Sequence, residues 1–509
     1  MTETAADVRK TGKAFGESLS DFPDLTEAER KLIDACRTGK PCNFDEEAPE
    51  IGTEANTIRP ELIRFLLLGG DEKTPVHPTG VRLRGAWIGG DLDLVSCHCS
   101  RPLLLPMCKI GGELILYGAE LPLLSLAGSH ISGIRGDGLR VRGDVSLRRG
   151  FKADGPVRLV GATIGGNMDC ENGSFNASSG FALVCDRAVI AGNVFLRSGF
   201  LAEGLVRLLG AQIGGNLECD KGSFTAKEGI ALNLDHAVIT GGLFFRNVTA
   251  VTGTVDLSAC TAEVLVDDAA SWGMVPRLSL NGFRYGRISY GPTDATTRIA
   301  WLKTTQLKGY EDEFWPQPWE KLIKVLREMG HEEDAKLVAM AKQDEMRARG
   351  KIRPLARPFH ALFGWLAGYG YRPLRTVGWM LGVWLSCSVL YLSAGVTGTM
   401  APSDALTVEQ HADDCGKPVG THNSTWTTCP NLPKEYTTFN PWLYSLDVIL
   451  PLVDLQQEKL WAPLVMKDDA KTWIWQGVFA RWVMWFEILF GWGGSLLLAA
   501  VLGNLPKRD

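Results

Sequence analysis

The decisive stretch is Gly161–Phe175, GATIGGNMDCENGSF, because it is written again 49 residues later as Gly210–Phe224, GAQIGGNLECDKGSF. The likeness continues on both sides: Val157-Arg158-Leu159 returns as Val206-Arg207-Leu208, and Arg187-Ala188-Val189-Ile190 as His236-Ala237-Val238-Ile239. A fixed period of this kind means stacked units, each burying a face on its neighbour. A weaker copy lies inside it, since Ala162-Thr163-Ile164 before GGNMDC is followed by Ala188-Val189-Ile190 before AGNVFL, dividing the period into 26 and 23 residues. Related words are AWIGGDLDL from Ala86, CKIGGELIL from Cys108, SHISG from Ser129 and LRVRGDVSL from Leu139. They reduce to small-x-Ile-x-Gly-x-Leu-x-Leu.

Apolar residues at every second position indicate strand, and the Gly after Ile suits a bend where the backbone turns. One coil then takes roughly 20 to 26 residues, the range of a β-solenoid, or parallel β-helix. Ile88, Ile110, Ile131, Ile164, Ile190, Ile213 and Ile239 are expected to stack as one internal ladder. The chain divides into a helical or irregular segment over 1–79, the solenoid over 80–291, a helical linker and cap over 292–353, and an α-helical membrane domain over 354–509.

The totals of this 509-residue chain, 45% hydrophobic with a mean hydropathy of zero, average two unlike halves. Up to about Gly350 the sequence is Gly-rich and interspersed with charge; from Pro354 most of the Trp residues appear in long apolar runs. A net charge of −5, with no basic stripe in the solenoid, gives no reason to expect nucleic acid as a partner. The first twenty residues lack the apolar core and cleavage site of a secretory signal, so the N-terminus is expected in the cytoplasm.

Most of the twelve Cys residues sit singly in the repeats, as small apolar filler in a reducing compartment. Cys170, Cys219 and Cys97-His98-Cys99 lack the second ligand pair of a zinc site, so no metal and no cofactor is expected. Cys415 and Cys429 differ, lying in a polar loop between two apolar runs, where an oxidising side would join them in a disulfide.

After the repeats, Leu322, Val325, Leu326 and Met329 fall at i, i+3, i+4 and i+7 before Gly330, which predicts an amphipathic helix. A second helix opens on Glu332-Glu333-Asp334 and closes on Arg347, Arg349 and Lys351, as the helix dipole favours. The pair is expected to cap the open end of the solenoid, whose last coil would otherwise expose strand edges. A protein-docking surface is the alternative.

Residues 377–396 and 477–503 are each long enough to cross a bilayer at about 20 residues, although Arg481 and Glu487 interrupt the second. Arg347, Arg349, Lys351, Arg353, Arg357, Arg372 and Arg375 precede the first span, and Lys507 and Arg508 follow the second. The positive-inside rule puts both flanks, both termini and the solenoid in the cytoplasm, with Trp473, Trp475 and Trp482 in the opposite aromatic belt. Between the spans, Asn440 as N-cap, Pro441 at N1 and a stop at Pro451 predict a short helix over 441–450, half a bilayer long.

The order span, short helix, irregular loop, span is that of pore-loop channels, whose irregular backbone lines water. The solenoid words, QPWEKLIKVLREMGHEEDA, GYGYRP before the first span and FNPWLYSLDVILPLVDLQQEKLW before the second together resemble a family of bacterial pentapeptide-like repeat proteins with a C-terminal two-span, ion-channel-like domain. The resemblance covers most of the chain after about residue 80. It implies a homo-oligomeric inner-membrane pore surrounded by lipid, four chains by pore-loop precedent or five. The pore-lining candidates are Asp454, Gln456, Gln457, Glu487 and Asp447; Glu487 because an ionisable residue at membrane depth is costly unless it faces water or a partner. Asp447 is assigned to packing of the short helix. Repeated carboxylates around an axis favour cations over other small solutes.

Gly368-Tyr369-Gly370 resembles a potassium-filter word but precedes the first span, where an interfacial turn fits better; the filter position holds Val453-Asp454-Leu455-Gln456-Gln457. Two other functions stay open. One is a membrane-anchored scaffold whose solenoid binds a cytoplasmic protein. The other, membrane-associated oxidoreductase, is a label given to members of such families, and it finds no dinucleotide fingerprint, no C-x-x-C and no haem ligand pair here, so catalytic residues are not assigned.

Overall fold

The computed structural model describes residues 18–304, 314–349, 351–415, 425–466 and 474–502. Trp473, Gly503, Lys507 and Arg508 lie outside the described residues. The chain forms two compact units, divided at Lys342 and Gln343 within the helix Glu332–Ala348.

The first unit is a β-solenoid of about nine turns. Its strands, most of them two or three residues long, pair in parallel with the equivalent strand one coil away, as Trp87-Ile88 does with Lys109-Ile110. In strands such as Val81–Arg84 and Leu201–Arg207 the burial pattern alternates inward and outward, which is the period of two seen in the sequence. The coil corners carry left-handed backbone. Ser96, Met107, Gly118, Gly128, Gly138, Arg149, Gly161 and Asn172 all have positive φ, at intervals of 10–12 residues. Two such corners therefore serve each coil.

That half-coil spacing corrects the single isoleucine ladder. Ile88 pairs with Ile110, and the strand of Ile131 continues that face, whereas Ile164, Ile190, Ile213 and Ile239 pair in succession on a different one. The same word is written on both faces because each turns one apolar side chain per coil inward, Ile in these coils and Ala153 or Leu121 in others. The Gly after Ile answers to close approach rather than to a left-handed φ. A Cβ on Gly165 would lie 2.2 Å from the Arg142 carbonyl oxygen of the coil before, and one on Gly214 2.3 Å from that of Ala191.

Two other parts of the opening stretch find their cause in stacking. The Asn of each GGN or AGN word turns its Oδ1 to a backbone N–H of the next coil: Asn193 N donates to Asn167 at 2.8 Å, Asn216 N to Asn193 at 2.7 Å and Gly242 N to Asn216 at 2.8 Å. The Phe that ends GSF joins Phe151, Phe175, Phe200 and Phe224 in a file with ring centroids 5.2–5.5 Å apart. Toward the C-terminal end the strands lengthen across a corner, as in Ser174–Val184, Ser223–Asn233 and Val238–Phe245, so that neighbouring faces merge.

Both ends of the coil stack are covered. Strands Cys42–Asn43 and Thr57–Ile58 extend the ladders before residue 80, beside the helices Glu27–Thr38 and Pro60–Leu67. At the far end Phe245 stacks on Trp272 at 4.3 Å, and the buried Arg298 guanidinium grips Asp267 through bonds of 2.7 and 2.8 Å. The helix Pro316–Glu328 then docks on the last coil, where Gln317 accepts from Gly282 N at 2.8 Å and donates to the Phe283 carbonyl at 3.2 Å.

The second unit is helical, with two long apolar helices, Pro373–Val396 and Trp475–Leu502. The first starts earlier than expected because Pro373 sits in its first turn, where a missing N–H costs nothing. The short helix is Pro441–Ile449; Leu450 is extended, as a residue before proline prefers. Met400–Pro402 pairs antiparallel with Trp461–Pro463, and Cys415 is bonded to Cys429 with Cα atoms 5.3 Å apart.

Candidate functional site

The site is the short helix and the chain that follows it, held between the two long helices. Asn440 caps the helix by accepting from the backbone N–H groups of Trp442 and Leu443, at 3.0 and 3.2 Å. Its own N–H donates at 3.1 Å to Gln457, whose amide nitrogen donates to Thr437 at 2.9 Å. The segment after Ile449 therefore comes back to the start of the helix it left. Asp447 fixes this return, accepting from Leu455 N at 2.6 Å and Glu458 N at 2.9 Å.

Three elements meet at Glu487, a fully buried carboxylate on the second long helix. The Tyr391 hydroxyl of the first long helix donates to it at 2.9 Å, the Ser445 hydroxyl of the short helix bonds its other oxygen, and the Cys387 thiol lies against it. Arg481 does not reach it and donates instead to the Pro463 carbonyl at 2.7 Å. Four residues beyond Glu487, a Cβ on Gly491 would stand 2.1 Å from the Ile449 carbonyl oxygen, so glycine there lets the second helix touch the end of the short one.

The five pore-lining candidates thus fall in different places. Asp447 and Gln457 are buried fasteners of the return segment, and Glu487 is a buried tie between helices. Asp454 is half exposed, 2.5 Å from the Lys459 ammonium, and accepts from Gln456 N at 3.0 Å; Gln456 takes a left-handed backbone at φ 63°. Asp447 and Asp454 share a cleft of about 310 Å³ with Glu458, Lys459, Ile488 and Trp492. Sequence reasoning missed Glu458 and Lys459, although the charge pair directly follows the two glutamines. It also missed Tyr391 and Ser445, whose signal is a polar group within an apolar run.

The other motifs belong to other elements. Tyr369 of the Gly-Tyr-Gly turn accepts from Arg347 at 2.6 Å and donates to Asp344 at 2.7 Å; burial, then the Asp344 hydrogen bond, pushes its phenol up to about 12. In the solenoid, strand alternation turns Cys97 and Cys99 inward and His98 outward to Glu120 at 2.9 Å, so the three do not converge. Burial pushes the Cys99 and Cys108 thiols up to about 12, far from the thiolate that metal binding or nucleophilic attack needs. Among the described residues no group of three or more His, Cys, Asp or Glu side chains is placed to hold a metal ion.

Compared with known proteins, the chain matches no family model, no curated relative and no solved structure at a significant level.

Proposed function

We propose that the chain is one subunit of a homo-oligomeric pore in a cytoplasmic membrane, cation-preferring, with the solenoid as a cytoplasmic sensing or scaffolding domain. The observation that carries this reading is the returning segment. A nine-residue helix, about 14 Å long at 1.5 Å per residue, is half the depth of a hydrocarbon core of about 30 Å. Gln457 brings the chain back to the helix start, which is the path of a re-entrant loop. Irregular backbone at that depth is tolerated where it lines water.

Three further facts support it. The most apolar windows of the long helices are only 28% and 17% buried, unlike core helices of a soluble protein, which suits a covering of lipid or other copies. Basic residues precede the first helix, while the disulfide joins the connection on its far side, as cytoplasmic and oxidising faces require. Two spans cannot enclose a pore alone, so several chains must surround one axis. Planar-bilayer recording of the purified full chain tests the reading. Single-channel steps are expected; silence under every voltage and ionic condition would reduce the second unit to an anchor for a protein-binding solenoid.

A further inference from the structure

The helix Arg357–Ala367 and the turn before it carry an apolar stripe that their own unit leaves uncovered. Leu355, Phe359 and Leu362 fall at i, i+4 and i+7 and are 89%, 74% and 49% exposed. Trp365 stands beside them, and Leu374 is exposed just beyond the Gly-Tyr-Gly turn. The buried face of this helix is already defined, because His360 and Phe363 pack on the Tyr369 ring at 4.7 and 6.1 Å. The outward stripe is therefore a second apolar face, and it needs a second partner.

The surrounding charge says what that partner is. Lys351, Arg353, Arg357, Arg372 and Arg375, on the segment that carries the stripe and on the chain flanking it, are all exposed, and the chain has no Asp or Glu between Glu345 and Asp404. Arg347 and Arg349 upstream are engaged by Asp344 and Glu345, whereas among the described residues no ion pair engages Arg353, Arg357, Arg372 or Arg375. The stripe is also tied to the start of the first long helix: Trp365 packs on Trp379 with ring centroids 4.1 Å apart and planes tilted by 41°, and Thr376 donates to the Leu366 carbonyl at 3.3 Å. An apolar face with a purely basic rim, continuous with a membrane-crossing helix, is complementary to a leaflet of anionic lipid.

We infer that residues 353–375 form a docking surface for anionic lipid. The helix Arg357–Ala367 lies along the leaflet, with Leu355, Phe359, Leu362 and Trp365 at the acyl boundary and the four arginines on headgroup phosphates. The inference rests on the membrane reading above, and its test separates the two.

The full chain is reconstituted in vesicles of phosphatidylcholine, with or without phosphatidylglycerol, and carries one nitroxide at a time through Phe359→Cys, Leu362→Cys or Leu489→Cys. Label-treated unsubstituted chain gives the background. Accessibility to oxygen and to a water-soluble nickel chelate is read by power saturation. The Leu489 site should be in lipid in both vesicles. The Phe359 and Leu362 sites should be in lipid when phosphatidylglycerol is present. Their docked fraction should fall when it is withdrawn, and by about fivefold in the docked-to-free ratio for each of Arg353, Arg357, Arg372 or Arg375 changed to Gln. Nickel access at Phe359 and Leu362 in anionic vesicles, with Leu489 in lipid, overturns the inference alone. Shielding of those two sites from both reagents, as contact with a second copy would give, also overturns it, as does indifference to phosphatidylglycerol. A water-exposed Leu489 overturns the membrane reading and this inference together.

Discussion

Glu487 shows how much one side chain can carry and how little of that is written beside it. An acid in an apolar run is visible in the sequence, but its partners are not, because Tyr391 lies 96 residues away and Ser445 lies 42 away. Nor does spacing reveal that Arg481, six residues earlier, turns to a backbone carbonyl instead. If the carboxyl group is removed, the buried Tyr391 hydroxyl loses its acceptor, at about 1–3 kcal/mol for an orphaned group, while Ser445 keeps the Trp384 carbonyl at 3.1 Å. Glu487→Ala is therefore expected to destabilise the second unit strongly in a thermal melt in detergent, while Glu487→Gln, which keeps shape and an acceptor, retains most of the stability. Equal losses would mean that the charge, not the bonding, is required. Glu29, on the helix Glu27–Thr38 at the N-terminal end of the coil stack, gives a pH-dependent case. Burial alone would raise its carboxyl, but the Arg59 side chain and the backbone N–H groups of Thr26 and Arg59 outweigh burial and hold it below its ordinary 4.5. A folded value below the unfolded one means stability that is present above about pH 4.5 and lost as pH falls through the folded value. Melting temperature followed from neutral pH downward should show that acid-side loss, and Glu29→Gln should flatten it.

At the scale of elements, the file of Phe151, Phe175, Phe200 and Phe224 is the strongest local prediction. Phe200 is fully buried with a ring on either side, so Phe200→Ala should cost about 3–5 kcal/mol in a denaturant melt followed by circular dichroism. A cost below about 1 kcal/mol would mean that the coils close over the gap. The strands themselves were legible, because alternation and a 49-residue period are local facts. The faces were not. Ile131 and Ile164 stand in the same word, yet 33 residues is about one and a half coils, so they point inward from different sides. Either face of a stacked coil accepts the same short apolar word, and only the left-handed corners count half-coils. Those corners are hidden in sequence because Met107, Arg149 and Asn172 occupy positions where glycine would have announced them. The short helix, by contrast, was legible nearly to the residue, since Asn440, Pro441 and Pro451 act within one turn of its ends.

At the scale of the whole molecule, the proposed pore would use one kind of apolar helix surface both between its chains and toward lipid, so subunit number leaves no mark in the sequence. The charge along a pore is more accessible to argument. Asp454 is half exposed and paired with Lys459, whereas Glu487 is closed off by Tyr391 and Ser445. In an oligomer the first pair repeats as a ring of alternating charges, whose balance sets the sign of the field an ion meets. Asp454→Asn leaves Lys459 uncompensated, so reversal potentials in asymmetric salt should move toward the anion limit. Lys459→Gln leaves the carboxylate uncompensated and should move them toward the cation limit. Glu487→Gln changes no exposed charge, and its selectivity should match the unsubstituted chain even where stability differs. A shift in Glu487→Gln with none in Asp454→Asn would place the ion path between the long helices instead of along the return segment.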